Sequence, residues 1–390
     1  MVPVDGHLVK TDGTLAEFSI EGLPDFLLYG IGIEVIAASL LFALFWRRGW
    51  LGEKGLWKAR GVTGETPQPE PQPVLGPLTS AAMFLVVTIS AGGEGACRDL
   101  LADWSGLQRA VGFRAGPGRG LACIAGLSAH GWDILLGEPR PAGLHPFQAL
   151  AGDRHQAPAT PGDLLFHIRA DRMDLCFEFA TQVMSRLDGA VTVADEVHRF
   201  RFFDERDLLG FVDGTENPVG GAASRAVLTD EPGFEGGSYV IVQKYVHDMP
   251  AWNALATEDQ ERAIGRSKLS DIEMADDVKP ANSHVALNTI TDADGTQRQI
   301  VRQNMPFGTV GRGEYGTYFI GYAADPGVTE QMLRNMFIGD PPGNHDRILD
   351  FSTAVTGGLF FVPSADFLDD LPDFRSSAGG SLGIGSLKGE

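Results

Sequence analysis

Met83-Phe84-Leu85-Val86-Val87-Thr88-Ile89 is an unbroken run of apolar and β-branched residues, too short for a usual helix and too apolar for a solvent-facing strand. It reads as a buried strand, and its neighbours complete a plan. Ala96 to Val111 carries apolar residues at helical spacing. Asp163-Leu-Leu-Phe-His-Ile-Arg169 is a further strand, a helix follows through Leu187, and Ala190 to Phe203 returns as a strand. These segments fit the order strand, helix, strand, strand, helix, strand, which is a split βαβ, ferredoxin-like unit.

The second half repeats the plan. Gly237-Ser-Tyr-Val-Ile-Val-Gln243 reads as a strand, Pro250 to Ile264 as a helix and Gly316 to Tyr322 as a strand. A helix over Thr329 to Met336 and a closing strand over Gly358 to Val362 finish it. The expectation is an α+β protein of two ferredoxin-like domains with antiparallel sheets, spanning 81–205 and 206–365, with the chemistry in the second.

With 390 residues the chain has room for both domains, and 43% hydrophobic against 21% charged residues is the balance of a globular protein. A formal net charge of −20 with no basic stripe excludes a nucleic-acid partner. Cys97, Cys123 and Cys176 show no CxxC spacing and do not pair evenly, so they read as small buried residues of a reducing compartment. Nine histidines are scattered without an HExxH motif, which argues against a metal held by protein ligands alone.

Residues 1–65 differ from the rest. Phe26 to Trp46 is almost wholly apolar and long enough to cross a bilayer as a helix. Arg47, Arg48, Lys54, Lys58 and Arg60 follow it, which would leave the bulk of the chain in the cytoplasm. The competing reading is a start assigned too early, with this segment missing from the mature protein. Residues 66–80, with repeated Pro-Gln and Pro-Glu steps, read as an extended linker, and 366–390 as a flexible Gly/Ser-rich tail.

Gly210-Phe-Val-Asp-Gly-Thr-Glu-Asn-Pro-Val219 sets one carboxylate, Asp213, between apolar residues in a glycine-bracketed segment closed by Asn-Pro. A carboxylate so placed either makes specific hydrogen bonds or does chemistry. Two other polar groups stand out: His284, followed by apolar residues, and Arg302, which opens the loop-like stretch Arg302-Gln-Asn-Met-Pro-Phe-Gly308. Singly, each has an ordinary account as a satisfied core histidine, a solvated arginine or, for Asn304, a turn residue.

Together they resemble the dye-decolourising peroxidases, most closely the bacterial type-B group. The resemblance rests on the Gly210-x-x-Asp213-Gly214 element, His284 lying 71 residues on, Arg302 a further 18 residues on, and Asn304 two beyond. It spans residues 74 to 365. It implies two ferredoxin-like domains with a haem b, one per subunit, in the C-terminal one. It further implies His284 as axial ligand of the haem iron, with a carboxylate partner for its other ring nitrogen, either Asp346 or Asp350. Asp213 would shuttle the peroxide proton, Arg302 would stabilise developing charge, Asn304 would order water or peroxide, and Arg266 would reach a haem propionate or be solvated. Because an aspartate remains a competent base at low pH, activity should peak on the acid side. Tyr239, Trp252, Tyr315, Tyr318 and Tyr322 are candidates either for an electron relay to bulky donors or for core packing.

Ser381-Leu-Gly-Ile-Gly-Ser-Leu-Lys388 resembles the cargo-loading peptide of proteins packed in encapsulin nanocompartments, with Leu382, Ile384 and Leu387 as docking side chains. The resemblances imply a homo-oligomeric peroxidase in a cytoplasmic encapsulin shell, with hydrogen peroxide and a dye, phenol, lignin fragment or Mn(II) as substrates. A membrane-anchored enzyme is the alternative location. Two other function classes stay open: a haem-binding, iron-releasing protein with little turnover, and a cofactor-free α+β binding module.

Overall fold

Alternation along the first long strand decides how its sheet is covered. The computed structural model describes residues 2–4, 7–9, 68–115, 120–372 and 374. It divides into two units, residues 1–67 and 68–390. In the first, Val2–Val4 and His7–Val9 form an antiparallel hairpin. The apolar run at 26–46 lies outside the described residues, as does the peptide at 381–388. No helix among the described residues is long and apolar enough to cross a membrane.

In the second unit, strand β1 (Ala81–Ile89) sends Met83, Leu85 and Val87 to one face and Ala82, Phe84 and Val86 to the other. The first set packs with helices α1 (Glu94–Ala102), α2 (Trp104–Ala115) and α3 (Met173–Arg186) through Cys97, Leu100, Trp104, Phe179 and Val183. The second set faces an interior shared with Tyr318, Tyr322 and Phe360. Phe84 is fully buried there, so Phe84→Ala should cost about 3–5 kcal/mol. The three cysteines are buried and free.

The other first-half strands are β2 (Ala122–Leu127), β3 (Leu164–Ala170) and β4 (Val191–Phe200). The second half contributes β5 (Ser238–His247), β6 (Val301–Arg302), β7 (Met305–Thr309), β8 (Glu314–Ala323), β9 (Ser352–Ala354) and β10 (Gly358–Val362). All join one ten-stranded sheet of order β6-β8-β5-β10-β2-β3-β1-β4, with β7 on β8 and β9 on β5. Every pairing in it is antiparallel. The order β4-β1-β3-β2 in the first half is repeated as β10-β5-β8-β6/β7 in the second, the ferredoxin-like arrangement expected for each.

Three local expectations change. Residues 302–308 are not a loop: β6 and β7 pair with β8, and Pro306 sits on β7, which ladders with β8 alone, where a missing N–H is tolerated. The helix expected from Pro250 to Ile264 is two, Met249–Asn253 and α4 (Thr257–Ile264). The described part of the expected linker is packed: Gln72 and Val74 are 3% and 1% exposed. Gln72 Nε2 donates to Ala125 O and Pro363 O at 2.9 Å, and its Oε1 accepts from Ala125 N. That amide bridges the seam where the halves join through the single pairing Phe361–Leu127.

The sheet curls until its outer strands meet. Arg199 on β4 donates to Met305 O on β7 at 2.7 Å, with its guanidinium 4.5 Å and 4.6 Å from the ring centres of Phe307 and Tyr318. Burial pulls the Arg199 guanidinium down to about 9. Tyr239, Trp252, Tyr318 and Tyr322 are all core residues, while Tyr315 is half-buried.

Candidate active site

The glycine-bracketed segment is held from behind by an apolar plug. Phe211 packs with Leu209, Trp252, Ala263 and Ile264, and Trp252 Nε1 donates to Leu209 O at 3.0 Å. Gly210 and Gly214 have φ of +95° and +81°, which only glycine adopts cheaply. A side chain at Gly210 would also meet Lys268 Cε at 2.4 Å. These turns present Asp213 to a cavity of about 1380 Å³, counting its open mouth. Asp213 N is tied to Glu205 O at 3.0 Å.

Asn304 reaches Asp213 from the sheet. Its Oδ1 accepts from Ile320 N at 3.0 Å, which turns its amide nitrogen towards Asp213 Oδ1, 3.2 Å away. Asn217, four residues beyond Asp213, closes on Arg302: its Oδ1 accepts from Arg302 N at 2.9 Å and its Nδ2 donates to Arg302 O at 2.7 Å. The motif and Arg302 are therefore clamped backbone to side chain. The Arg302 guanidinium lines the same cavity and has no hydrogen bond or ion pair among the described residues. A half-buried cation without a counter-ion is a binding site for negative charge.

His284 opens α5 (His284–Asn288), whose N-cap Ser283 accepts from Ala286 N. Its Nδ1 lies 2.7 Å from Asp346 Oδ2, and Asp346 is completely buried. Asn288, one turn on, donates to His284 O at 2.7 Å and lies 3.4 Å from Asp346 Oδ2. Asp346 Oδ1 accepts from Ile348 N, capping the 3-10 turn Arg347–Asp350. With Nδ1 committed, Nε2 is the ring nitrogen left to act, and the histidine lines the cavity. Of the two candidate partners, Asp346 touches His284, whereas Asp350 binds His155 and His345.

Arg266 also lines the cavity but is fully engaged. Its Nε donates to Asp271 Oδ1 at 3.0 Å, one terminal nitrogen to Glu216 Oε1 at 2.7 Å and the other to Asp271 O. The walls between these groups are largely apolar. Helix α6 (Pro326–Phe337) contributes Met332, Leu333 and Met336 along one face, joined by Ile264, Phe319 and Ile348. Thr329 on the same helix has a buried hydroxyl without a partner in the described structure. An imidazole with one free nitrogen, an uncommitted guanidinium and broad apolar walls suit a large planar group carrying a transition metal.

Several wall residues escaped the sequence reading. Asp207 accepts from Phe211 N at 2.9 Å, and burial, with Asp213 adding to it, lifts its carboxyl to about 7. His247 is held by Ser352 Oγ at 2.8 Å and Thr317 Oγ1 at 3.0 Å, and burial pulls it down to about 4. Glu216 follows Asp213 in the motif, so its position was a usable signal; nothing local marks Asp207 or His247. A second, smaller cavity touches Asp213 and Asn304 and is lined by Arg201, Glu205 and Arg206.

Comparison with known proteins bears on the same regions. The family model "Dyp-type peroxidase, C-terminal" matches residues 204–367, and "Dyp-type peroxidase, N-terminal" matches residues 71–201. A dye-decolorizing peroxidase of Rhodococcus erythropolis strain PR4 is 64% identical over 331 residues, covering 82% of this chain and 97% of that protein. The encapsulated DyP-type peroxidase of Mycobacterium smegmatis superposes with a TM-score of 0.77 at 62% identity, over 78% of this chain and 99% of that one. A variant of DypB from Rhodococcus jostii RHA1, solved in complex with haem, superposes with a TM-score of 0.76 at 56% identity, over 78% of this chain and 100% of that one.

Proposed function

The chain belongs to the Dyp-type peroxidase family, and on that premise we propose that its cavity holds one haem b per subunit, ligated through Nε2 of His284. The observation that carries this reading is the bond from His284 Nδ1 to the buried Asp346, because a carboxylate partner fixes the ring and raises the basicity of the free nitrogen. The apolar walls suit a porphyrin, and the relatives' cofactor agrees. Residues 206–365 would form the haem domain and 81–205 its support, the two sharing one sheet.

When bound, the haem would supply one-electron redox chemistry, with hydrogen peroxide as oxidant and a dye, phenol, lignin fragment or Mn(II) as donor. The chain's own residues manage protons and charge. Asp213 receives the proton from one peroxide oxygen and returns it to the other. Its Oδ1 already accepts from Asn304, which leaves Oδ2 for the proton. Arg302, clamped by Asn217 and with no guanidinium partner among the described residues, would offset negative charge as the O–O bond lengthens. Arg266 holds the Asp213 loop in place through Glu216, so its first role is positioning.

The enzyme would be a homo-oligomer inside an encapsulin shell, docked by residues 381–388. The shared fold with an encapsulated peroxidase of M. smegmatis and the apolar spacing of Leu382, Ile384 and Leu387 support this. The test of the site is optical and kinetic. His284→Ala should lose the Soret band of the purified protein, and Asp213→Ala and Arg302→Leu should keep it while losing dye oxidation. A His284→Ala protein with full haem and an unaltered spectrum would refute the ligand assignment.

A further inference from the structure

Outside the cavity, two histidines aim at one carboxylate oxygen. His155 Nε2 lies 3.1 Å and His345 Nε2 3.3 Å from the same Oδ1 of Asp350. All three donor atoms fall within 4.8 Å of one another. We propose that His155, His345 and Asp350 form a site for a borderline first-row divalent cation of the Zn2+ class, with water completing its coordination.

The spacing supports this. Ligands about 2.0–2.1 Å from a tetrahedral Zn2+ stand roughly 3.3 Å apart, close to the 3.1 Å and 3.3 Å that separate the imidazole nitrogens from Asp350 Oδ1. Both rings converge on one oxygen instead of dividing between the two, and the ring centres stand 4.9 Å apart at 59°. Two imidazoles with one carboxylate select Zn2+, Ni2+ or Cu2+ over Mg2+ and Ca2+. The side chains are 21%, 16% and 31% exposed, so water and an incoming ion can reach them. One competitor is near, the exposed Arg154, whose guanidinium stands 4.0 Å from the same oxygen.

The ligands are carried on fixed backbone. His155 closes a two-residue-strand hairpin, with Gly152 N donating to His155 O at 3.0 Å. That hairpin abuts the end of α6, where a side chain at Gly152 would strike Phe337 O. His345 precedes and Asp350 ends the turn capped by Asp346, whose own N–H donates to Met336 O of α6 at 2.9 Å. A bound cation would pin a first-half hairpin to the turn that aims Asp346 at His284.

The experiment uses the full-length haem-loaded protein without a polyhistidine tag, freed of adventitious metal and titrated with ZnCl2 by calorimetry. The expected result is one Zn2+ per chain, a thermal midpoint that rises with Zn2+, and no competition from Ca2+. Asp350→Asn and His155→Gln, on separate segments, should each weaken Zn2+ binding by about tenfold or more with the Soret band unchanged. His145→Gln removes an imidazole paired instead with Glu330 and should leave the affinity as it is. Zn2+ bound equally well by both ligand variants, or by none of the proteins below millimolar concentration, would overturn the site.

Discussion

Asp346→Asn isolates the charge behind His284 from everything else that residue does. Asparagine keeps an Oδ1 to accept from Ile348 N, and it caps a helical turn as well as aspartate does, so the fold of 346–350 should survive. What disappears is the anion 2.7 Å from His284 Nδ1 at a site sealed from water. A hydrogen bond to a charged group contributes about 1.5–3 kcal/mol. At about 1.36 kcal/mol per decade that is roughly ten- to hundredfold, the range found when the carboxylate partner of a metal-bound histidine is removed. Haem should therefore leave the variant about ten to a hundred times faster, read as the shift of the Soret band to that of holomyoglobin in the presence of excess apomyoglobin. Circular dichroism and the unfolding midpoint check that the turn has held. A haem-loss rate within about a factor of two of the parent protein would refute the reasoning, because the buried carboxylate would then contribute nothing to the ligand.

Arg302→Leu should lower kcat/KM for hydrogen peroxide by about 10²–10³, as loss of a preorganised charge stabiliser does, measured by stopped-flow peroxide consumption. Asp213→Asn should cost about 10²–10⁴ in the same assay. Asp207 makes the folded state less stable as pH rises towards neutral. Its carboxyl is lifted from 3.8 to about 7, so the folded chain holds a proton the unfolded chain sheds between those values, and stability falls as pH rises through that window. Asp207→Asn keeps the acceptor for Phe211 N and should gain about 2–4 kcal/mol at pH 8 but nothing at pH 4, read from denaturant melts. Deleting residues 381–390 should abolish co-purification with a co-expressed encapsulin shell while leaving dye oxidation intact.

The repeated strand and helix order was legible wherever side chains are large. The strand Ala122–Leu127 escaped because it reads Ala-Cys-Ile-Ala-Gly-Leu, too small and mixed to signal itself. Its smallness has a structural cause, since a side chain at Gly126 would press on Phe360 and Val362 at the seam between the halves. The strand Met305–Thr309 was hidden by Pro306 and Gly308, residues that mark loops in most contexts and are tolerated here because the strand ladders on one side only.

The site shows the same division between type and partner. His284, Asp213 and Arg302 could be picked out by residue type and spacing, because each is chemically conspicuous along the chain. What spacing could not supply is commitment. Arg266 and Arg302 both line the cavity, yet the first gives every guanidinium nitrogen to Glu216 or Asp271 and the second gives none to the described residues. Glu216 lies 50 residues from Arg266, and Asn217 holds Arg302 by its backbone across 85. One four-residue stretch of the motif, Asp213 to Glu216, thus supplies the carboxylate that faces the cavity and the one that occupies Arg266, while the next residue, Asn217, positions Arg302 without touching its charge. The free cation is therefore a product of the motif's fold, and substitutions at Glu216 and Asn217 should disturb Arg266 and Arg302 respectively before they disturb Asp213.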